Sequence, residues 1–305
     1  MKVAVVVGPR KIVFKEVEEP KDEEGFVVVK VKAVNICQSD LRKWQGISCP
    51  SYPIVLGHEI GGRVENRNVA INPLLYCKKC RYCLNGRENL CEGLAQIGGF
   101  SEFVKVPRCS VYYTTLSPSI ASLVEPVAAC LSAVEKTHGK VCIAGAGPMG
   151  IIQGFIAKFM GKDVVLFEPR EDRREIASKL GLETREINDR EKFDSCIIST
   201  SSKSTAEAIP YYLKLLNSGG TLVVFSSSWP PKSALIDVNL IHYKEIEIVG
   251  SFAYTNKTFS KAVEIAEKIK TRLKRIITHK FKFEEIEKAF EIAEKGECLK
   301  VQIEL

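Results

Sequence analysis

The stretch Val141-Cys142-Ile143-Ala144-Gly145-Ala146-Gly147-Pro148-Met149-Gly150, which continues as IIQGFIAKFM to residue 160, decides how this chain is read. An apolar strand runs directly into G-x-G-x-x-G, and a helical pattern opens at the proline. The glycine spacing alone is a weak signal; the strand before it and the helix after it supply the context the pattern needs. Without side chains at Gly145, Gly147 and Gly150, the backbone can turn tightly and approach a pyrophosphate. The helix N-terminus, which includes Pro148 and Met149, then offers free N–H groups and partial positive charge. The next apolar run, VVLFE, ends at Glu168. A carboxylate there accepts hydrogen bonds from both ribose hydroxyls and repels a 2′-phosphate, which favours NAD over NADP. Arg170 is the counter-signal, because a guanidinium can bind such a phosphate, and it leaves NADP open.

Outward from this motif, strand and helix alternate. VCIAGAG, DVVLFEP, FDSCIIST and GGTLVVFSS read as buried strands, with PMGIIQGFIAKFM, EDRREIASKLG and TAEAIPYYLKLL as helices between them; EIEIVGSF closes the series. Such repetition requires crossovers and predicts an α/β domain with a doubly wound parallel sheet over residues 118–252. Before Ser117-Pro118 the pattern differs: KVAVVV, KIVFKEV, GFVVVKVKAV and SEFVKVP are β-branched runs separated by Gly and Pro. They predict a β-rich domain over residues 1–117. Two helical stretches and the strand KVQIEL, within residues 253–305, form a return to that first domain.

The 305 residues suffice for two domains, and 45% hydrophobic with 27% charged is the mixture of a soluble globular chain. The net charge of +7 comes from 44 basic residues interleaved with 37 acidic ones. That describes a mixed, solvated surface, with no basic helix or aromatic–basic cluster to suggest nucleic acid. No apolar run approaches the roughly 20 residues needed to cross a bilayer. The opening MKVAVVVGPRKIVF breaks at Gly8-Pro9, so it lacks a signal-peptide core and predicts a cytoplasmic protein.

Of the 11 cysteines, four fall in one short segment, residues 77–91, as Cys77-x2-Cys80-x2-Cys83-x7-Cys91. Compact clustering in a chain of this kind favours metal over disulfides. Four thiolates close a tetrahedron around zinc and leave no position for water, which assigns a structural role. An iron–sulfur cluster is the rival reading. Cys130, Cys142 and Cys196 lie in apolar stretches and read as small core residues, whereas Cys49, Cys109 and Cys298 give no clear signal.

Cys37-Gln38-Ser39-Asp40 follows the strand VVVKVKAV, and Gly57-His58-Glu59 follows PIVL. Both therefore stand at strand ends, where a rigid scaffold can aim ligands into one site. The combination of C-x-S-D, G-H-E, the cysteine lobe, GGFSEFVKVP, LVEPVAAC and GAGPMG resembles the zinc-containing medium-chain dehydrogenase/reductase (alcohol dehydrogenase) superfamily. Within it, the sorbitol (polyol) and threonine dehydrogenase branch is the most similar, and the match covers essentially the whole chain. The resemblance implies a GroES-like catalytic domain and a Rossmann domain. It also implies two zinc ions per chain and hydride transfer between NAD(P) and an alcohol, polyol or sugar, giving a ketone or aldehyde. A catalytic zinc would be held by Cys37, His58 and either Glu59 or Glu125. Asp40 would orient His58, and Ser39 would pass the substrate proton outward. A homodimer or homotetramer is implied as well, because the EIEIVGS edge pairs between subunits in such folds.

The chain departs from the family pattern in places. Arg42 stands where many relatives carry the histidine that ends the proton relay, and arginine cannot deprotonate in this range. It would bind phosphate or substrate instead. Ala253 replaces an arginine common in polyol enzymes, which weakens a sorbitol-like reading. Trp44 and Tyr52 could line a substrate pocket or belong to the core. The competing functions are a threonine-type amino-alcohol dehydrogenase, and a non-catalytic protein that binds zinc and dinucleotide.

Overall fold

Strand Val141–Ala144 forms where the apolar run predicts it, and all four residues are fully buried. It lies third in a six-stranded sheet. The strand order is Thr184–Arg185, Val164–Phe167, Val141–Ala144, Phe193–Ile198, Leu216–Val224 and Glu247–Gly250, and every pairing is parallel. In order of appearance the strands run 3-2-1-4-5-6, so the direction of winding reverses beside Val141–Ala144. That is the switch point where doubly wound sheets bind ligands. Helices between the strands cover both faces, which explains why the inner strands are continuous apolar runs. Cys142 and Cys196 are register partners on adjacent strands; both are fully buried, as is Cys130.

The computed structural model describes residues 1–48, 51–187 and 191–305. The chain divides into two units, residues 1–128 with 254–305, and residues 129–253. Cys49 lies outside the described residues. Among those described, no helix is long and apolar enough to cross a membrane.

The first unit is built on a sheet that runs Ile277–Lys282, Lys300–Glu304, Phe26–Asn35, Glu59–Val64, Arg67–Ile71 and Val111–Tyr113, with Phe103–Pro107 also paired to Phe26–Asn35. The C-terminal strand thus lies antiparallel beside Phe26–Asn35. Strand Ile277–Lys282 was not expected: its burial pattern is mostly exposed, so its residues show no apolar alternation. Register sets up the site. Gln302 pairs with Asn35 and Asn35 pairs with Glu59, which places three sequence-distant residues on one rung. Asn35 and Gln302 then form a buried network with the Ser122 hydroxyl, at 2.9–3.1 Å.

Trp44 is 3% exposed, with its ring 5.4 Å from Phe290, so it belongs to the core rather than to a pocket. Tyr52 packs against the same core and donates its hydroxyl to the Lys43 carbonyl at 2.7 Å.

Gly61 and Gly62 allow close backbone approaches in this unit. A Cβ at Gly61 would collide with the Pro118 carbonyl, and one at Gly62 with the Lys30 carbonyl at 2.6 Å. The short helix Pro118–Ala121 can therefore lie directly on strand Glu59–Val64. We expect Gly61→Ala to lower unfolding free energy by about 2 kcal/mol or more, because backbone cannot yield as a side chain can. Denaturant titration of the purified protein measures this; an unchanged midpoint would contradict the packing described.

Candidate active site

Continuing the Asn35–Glu59 register by two residues brings Cys37, which caps helix Gln38–Trp44, level with the Gly57-His58 turn. The metal-binding atoms of Cys37, His58 and Glu59 all lie within 4.8 Å of one another. Gly57 makes the turn possible. Its φ is +83°, and a Cβ there would meet the Phe100 ring and Val34 at 2.8 Å.

Asp40 holds the two segments together. One carboxylate oxygen accepts from the Cys37 N–H at 3.1 Å, and the other from the Gly57 N–H and His58 Nδ1, each at 3.2 Å. With Nδ1 donating, the Nε2 lone pair is left for a metal. Burial works against charge on Asp40, but His58 and the two backbone donors overcome it and hold the carboxyl below its usual range. For His58, burial likewise opposes charge, but the Asp40 carboxylate and then Cys37 outweigh it and raise the imidazole above its usual range; a metal at Nε2 would take the place of the second proton.

Glu59 is fully buried. One oxygen pairs with the Lys300 ammonium, and the other, Oε2, is buried without a hydrogen-bond partner. Asp40 and Glu59 place two buried carboxylates beside the Cys37 sulfur, and the Glu59 oxygen without a partner is a donor that a divalent cation would satisfy. The donor set of one sulfur, one imidazole nitrogen and one carboxylate suits zinc with an open position.

Glu125, at the start of helix Val124–Val134, lies outside the group of three. Its carboxylate accepts from the Tyr254 hydroxyl at 3.0 Å, so it is not the solvated helix-start acid its sequence context allows. Burial pushes its pKa up to about 7; the negative charge of Glu59 adds to the shift, while His58 and Tyr254 oppose it. Ser39 is half-buried in the first turn of helix Gln38–Trp44. Lys300 escaped the sequence reading. Its signal was a lysine in a strand whose next three residues are buried.

The four lobe sulfurs, of Cys77, Cys80, Cys83 and Cys91, also lie within 4.8 Å of one another. A zinc tetrahedron with 2.3 Å bonds has edges of about 3.8 Å, and the Cys77 and Cys83 sulfurs stand 4.0 Å apart. Backbone N–H groups of Cys77 and Cys80 donate to the Cys91 and Cys77 sulfurs at 3.2 and 3.3 Å. Similar donors from Cys83 and Glu92 bring the Cys80 thiol down to about 6, which favours the thiolate a metal requires. Cys109 is exposed and Cys298 buried, both outside this lobe.

In the second unit, Gly145 has φ +108°, and a Cβ at Gly150 would strike the Gly145 carbonyl. Gly147 caps helix Pro148–Phe159 and faces open space: a Cβ there would meet nothing within 4 Å, which leaves room for a phosphate. Met149 is half-buried in the first turn of that helix. The Glu168 carboxylate reaches back to accept from Ala146 N–H at 2.8 Å and Arg170 N–H at 3.1 Å. The Arg170 guanidinium is engaged by both Asp172 oxygens, at 3.1 and 2.6 Å.

Residues 23–115 match the alcohol dehydrogenase GroES-like domain family, and residues 148–268 match the zinc-binding dehydrogenase family. The chain is 30% identical over 325 residues to L-galactonate-5-dehydrogenase of Escherichia coli K12, covering 95% of this chain and 94% of that protein. It is also 30% identical over 329 residues to L-threonine 3-dehydrogenase of Bacillus licheniformis, covering 94% of each. A short chain alcohol dehydrogenase from Escherichia coli CFT073, solved with NADH, superposes with a TM-score of 0.89 at 25% identity; the match covers 100% of this chain and 99% of that one. The chain belongs to the zinc-containing medium-chain dehydrogenase/reductase superfamily, as its motifs imply. It is an enzyme, an NAD(P)-dependent dehydrogenase of the zinc-binding kind with a GroES-like domain and a Rossmann sheet.

Removing the Lys300 ammonium should expose the charge balance of the site. With chelator present, Lys300→Met leaves Glu59 buried and unpaired and should cost about 4 kcal/mol of stability. Adding zinc should recover most of that loss. Urea titrations with and without zinc test this, and equal losses in both conditions would contradict the proposed charge balance.

Proposed function

We propose that the chain oxidises an alcohol, polyol or sugar hydroxyl to a ketone or aldehyde, with zinc at Cys37, His58 and Glu59, a second zinc in the cysteine lobe, and NAD as the preferred cofactor. The observation that carries this reading is the convergence of Cys37, His58 and Glu59 around the Asp40 carboxylate. When bound, zinc supplies Lewis acidity to the substrate oxygen and the nicotinamide supplies the hydride acceptor.

The residues provide the rest. Asp40 fixes the imidazole in one tautomer, so His58 presents the same nitrogen throughout turnover. The Ser39 hydroxyl, two residues from Cys37, receives the substrate proton and passes it outward. Arg42 cannot extend that relay, so the proton leaves Ser39 to water. The unpartnered Glu59 oxygen supports Glu59 as the third protein ligand, with Glu125 held back by Tyr254. The preference for NAD is supported by Glu168 and by the engagement of Arg170 with Asp172, which competes with a 2′-phosphate for the guanidinium.

The reading includes a homodimer or homotetramer in the cytoplasm. Strand Glu247–Gly250 ends its sheet with an open edge, and Leu235, Val238, Tyr243, Ile248 and Phe252 are exposed around or near it in the sequence. Unpaired edges and exposed apolar side chains together favour pairing with a second copy. Free thiols in the core and lobe suit a reducing compartment.

Polyols, sugars and amino alcohols assayed with NAD and NADP at 340 nm, alongside zinc counting, test the function. We expect close to two zinc ions per chain, and Cys37→Ala should retain one zinc while losing turnover by about a thousandfold or more. A fully active Cys37→Ala enzyme would refute the assignment. Ile248→Lys should shift the protein to monomer in sedimentation; an unchanged assembly would place the interface elsewhere.

A further inference from the structure

We infer that the substrate carries an anionic group, a carboxylate or a phosphate, away from the reacting hydroxyl, and that Arg42 and Lys43 receive it; this rests on the dehydrogenase reading above. Helix Gln38–Trp44 buries Asp40, Leu41 and Trp44 on one side. Ser39, Arg42 and Lys43 are spaced three and four residues apart and therefore share another side, where all three are half-buried. The two cations stand about one helical turn, about 5 Å, beyond the hydroxyl assigned to proton transfer.

The acids packed against this helix are committed elsewhere. Asp40 serves Cys37, Gly57 and His58, and Glu294 takes Arg10 and Gln45. Among the described residues, no carboxylate pairs with Arg42 or Lys43, and Lys43 Nζ makes only a 3.5 Å contact with Gln96 Oε1. Basic residues in a last turn also suit the helix dipole, but that effect needs no burial. Two adjacent, partly desolvated cations without a counter-ion are unfavourable by themselves, and a bound anion relieves this. The guanidinium fork matches the paired oxygens of a carboxylate or phosphate, with the ammonium as a second point charge. Because arginine keeps its proton, Arg42 is suited to reading charge at the position where a proton relay would otherwise end.

The test compares a hexonate, a hexitol 1-phosphate and the neutral hexitol of matching configuration, with the zinc-loaded full-length chain and NAD. One of the anionic substrates should exceed the hexitol in kcat/KM by about thirtyfold or more, and which one does so tells carboxylate from phosphate. Arg42→Gln should reduce that ratio by about tenfold or more, mainly through KM for the anionic substrate, and Arg42→Lys should restore part of it. Melting temperatures close to that of the parent protein confirm that both variants fold. A parent ratio near one overturns the inference. So does an Arg42→Gln enzyme that keeps the ratio and instead has a raised KM for NAD. Calorimetric titration of each anion into the zinc-loaded protein with NADH separates the two readings. Anion binding that Arg42→Gln abolishes, in a protein that oxidises no alcohol, would overturn the dehydrogenase reading and leave this inference standing.

Discussion

The Asp40 carboxylate is 1% exposed, and its oxygens accept from the Cys37 N–H, the Gly57 N–H and His58 Nδ1. A carboxylate this deep is tolerable only while its donors stay in place, because an unmatched buried charge costs several kcal/mol. The constraint runs in both directions. It pulls the start of helix Gln38–Trp44 against the Gly57-His58 turn, and it sets which imidazole nitrogen, Nδ1, turns toward the carboxylate. Two segments that the chain separates by some twenty residues therefore act as one ligand-bearing surface. Gly57, with its positive φ and its close contact with Phe100 and Val34, is the backbone condition for that surface.

A second constraint is charge balance. Asp40 and Glu59 are buried carboxylates, and the ammonium that pairs with Glu59 arrives from Lys300, 241 residues away in the chain. This makes the C-terminal return more than a packing element. The register that joins Gln302 to Asn35 and Asn35 to Glu59 also carries Lys300 to the carboxylate. One Glu59 oxygen is left buried without a hydrogen-bond partner, a donor that a divalent ion would fit. The cysteine lobe solves a simpler problem, since all of its donors come from one short segment; backbone N–H groups lower the pKa of the Cys77 and Cys80 thiols, while burial raises that of Cys83.

Much of this was legible along the chain. The G-x-G-x-x-G turn, Glu168 and the alternation of strands and helices identify a parallel sheet, because both signals arise from local rules of backbone freedom and periodicity. The four-cysteine lobe was legible for the same reason. Lys300 was not, since a lone lysine in a strand gives no indication of a buried partner far upstream. Strand Ile277–Lys282 was missed because most of its residues are exposed and show no alternation. The roles of Trp44 and Tyr52 stayed open in the sequence, because an aromatic side chain looks the same whether it lines a pocket or fills a core.

The sequence by itself determined the fold class, the dinucleotide fingerprint, the four-cysteine lobe and the identity of the candidate ligands, because each is written in residue type and short-range spacing. Only the tertiary structure brings the ligand atoms of Cys37, His58 and Glu59 within 4.8 Å of one another and sets Lys300 against Glu59. Those outcomes depend on strand register and on which side chains share a buried volume. Both are fixed by packing between distant segments, where local spacing carries no information.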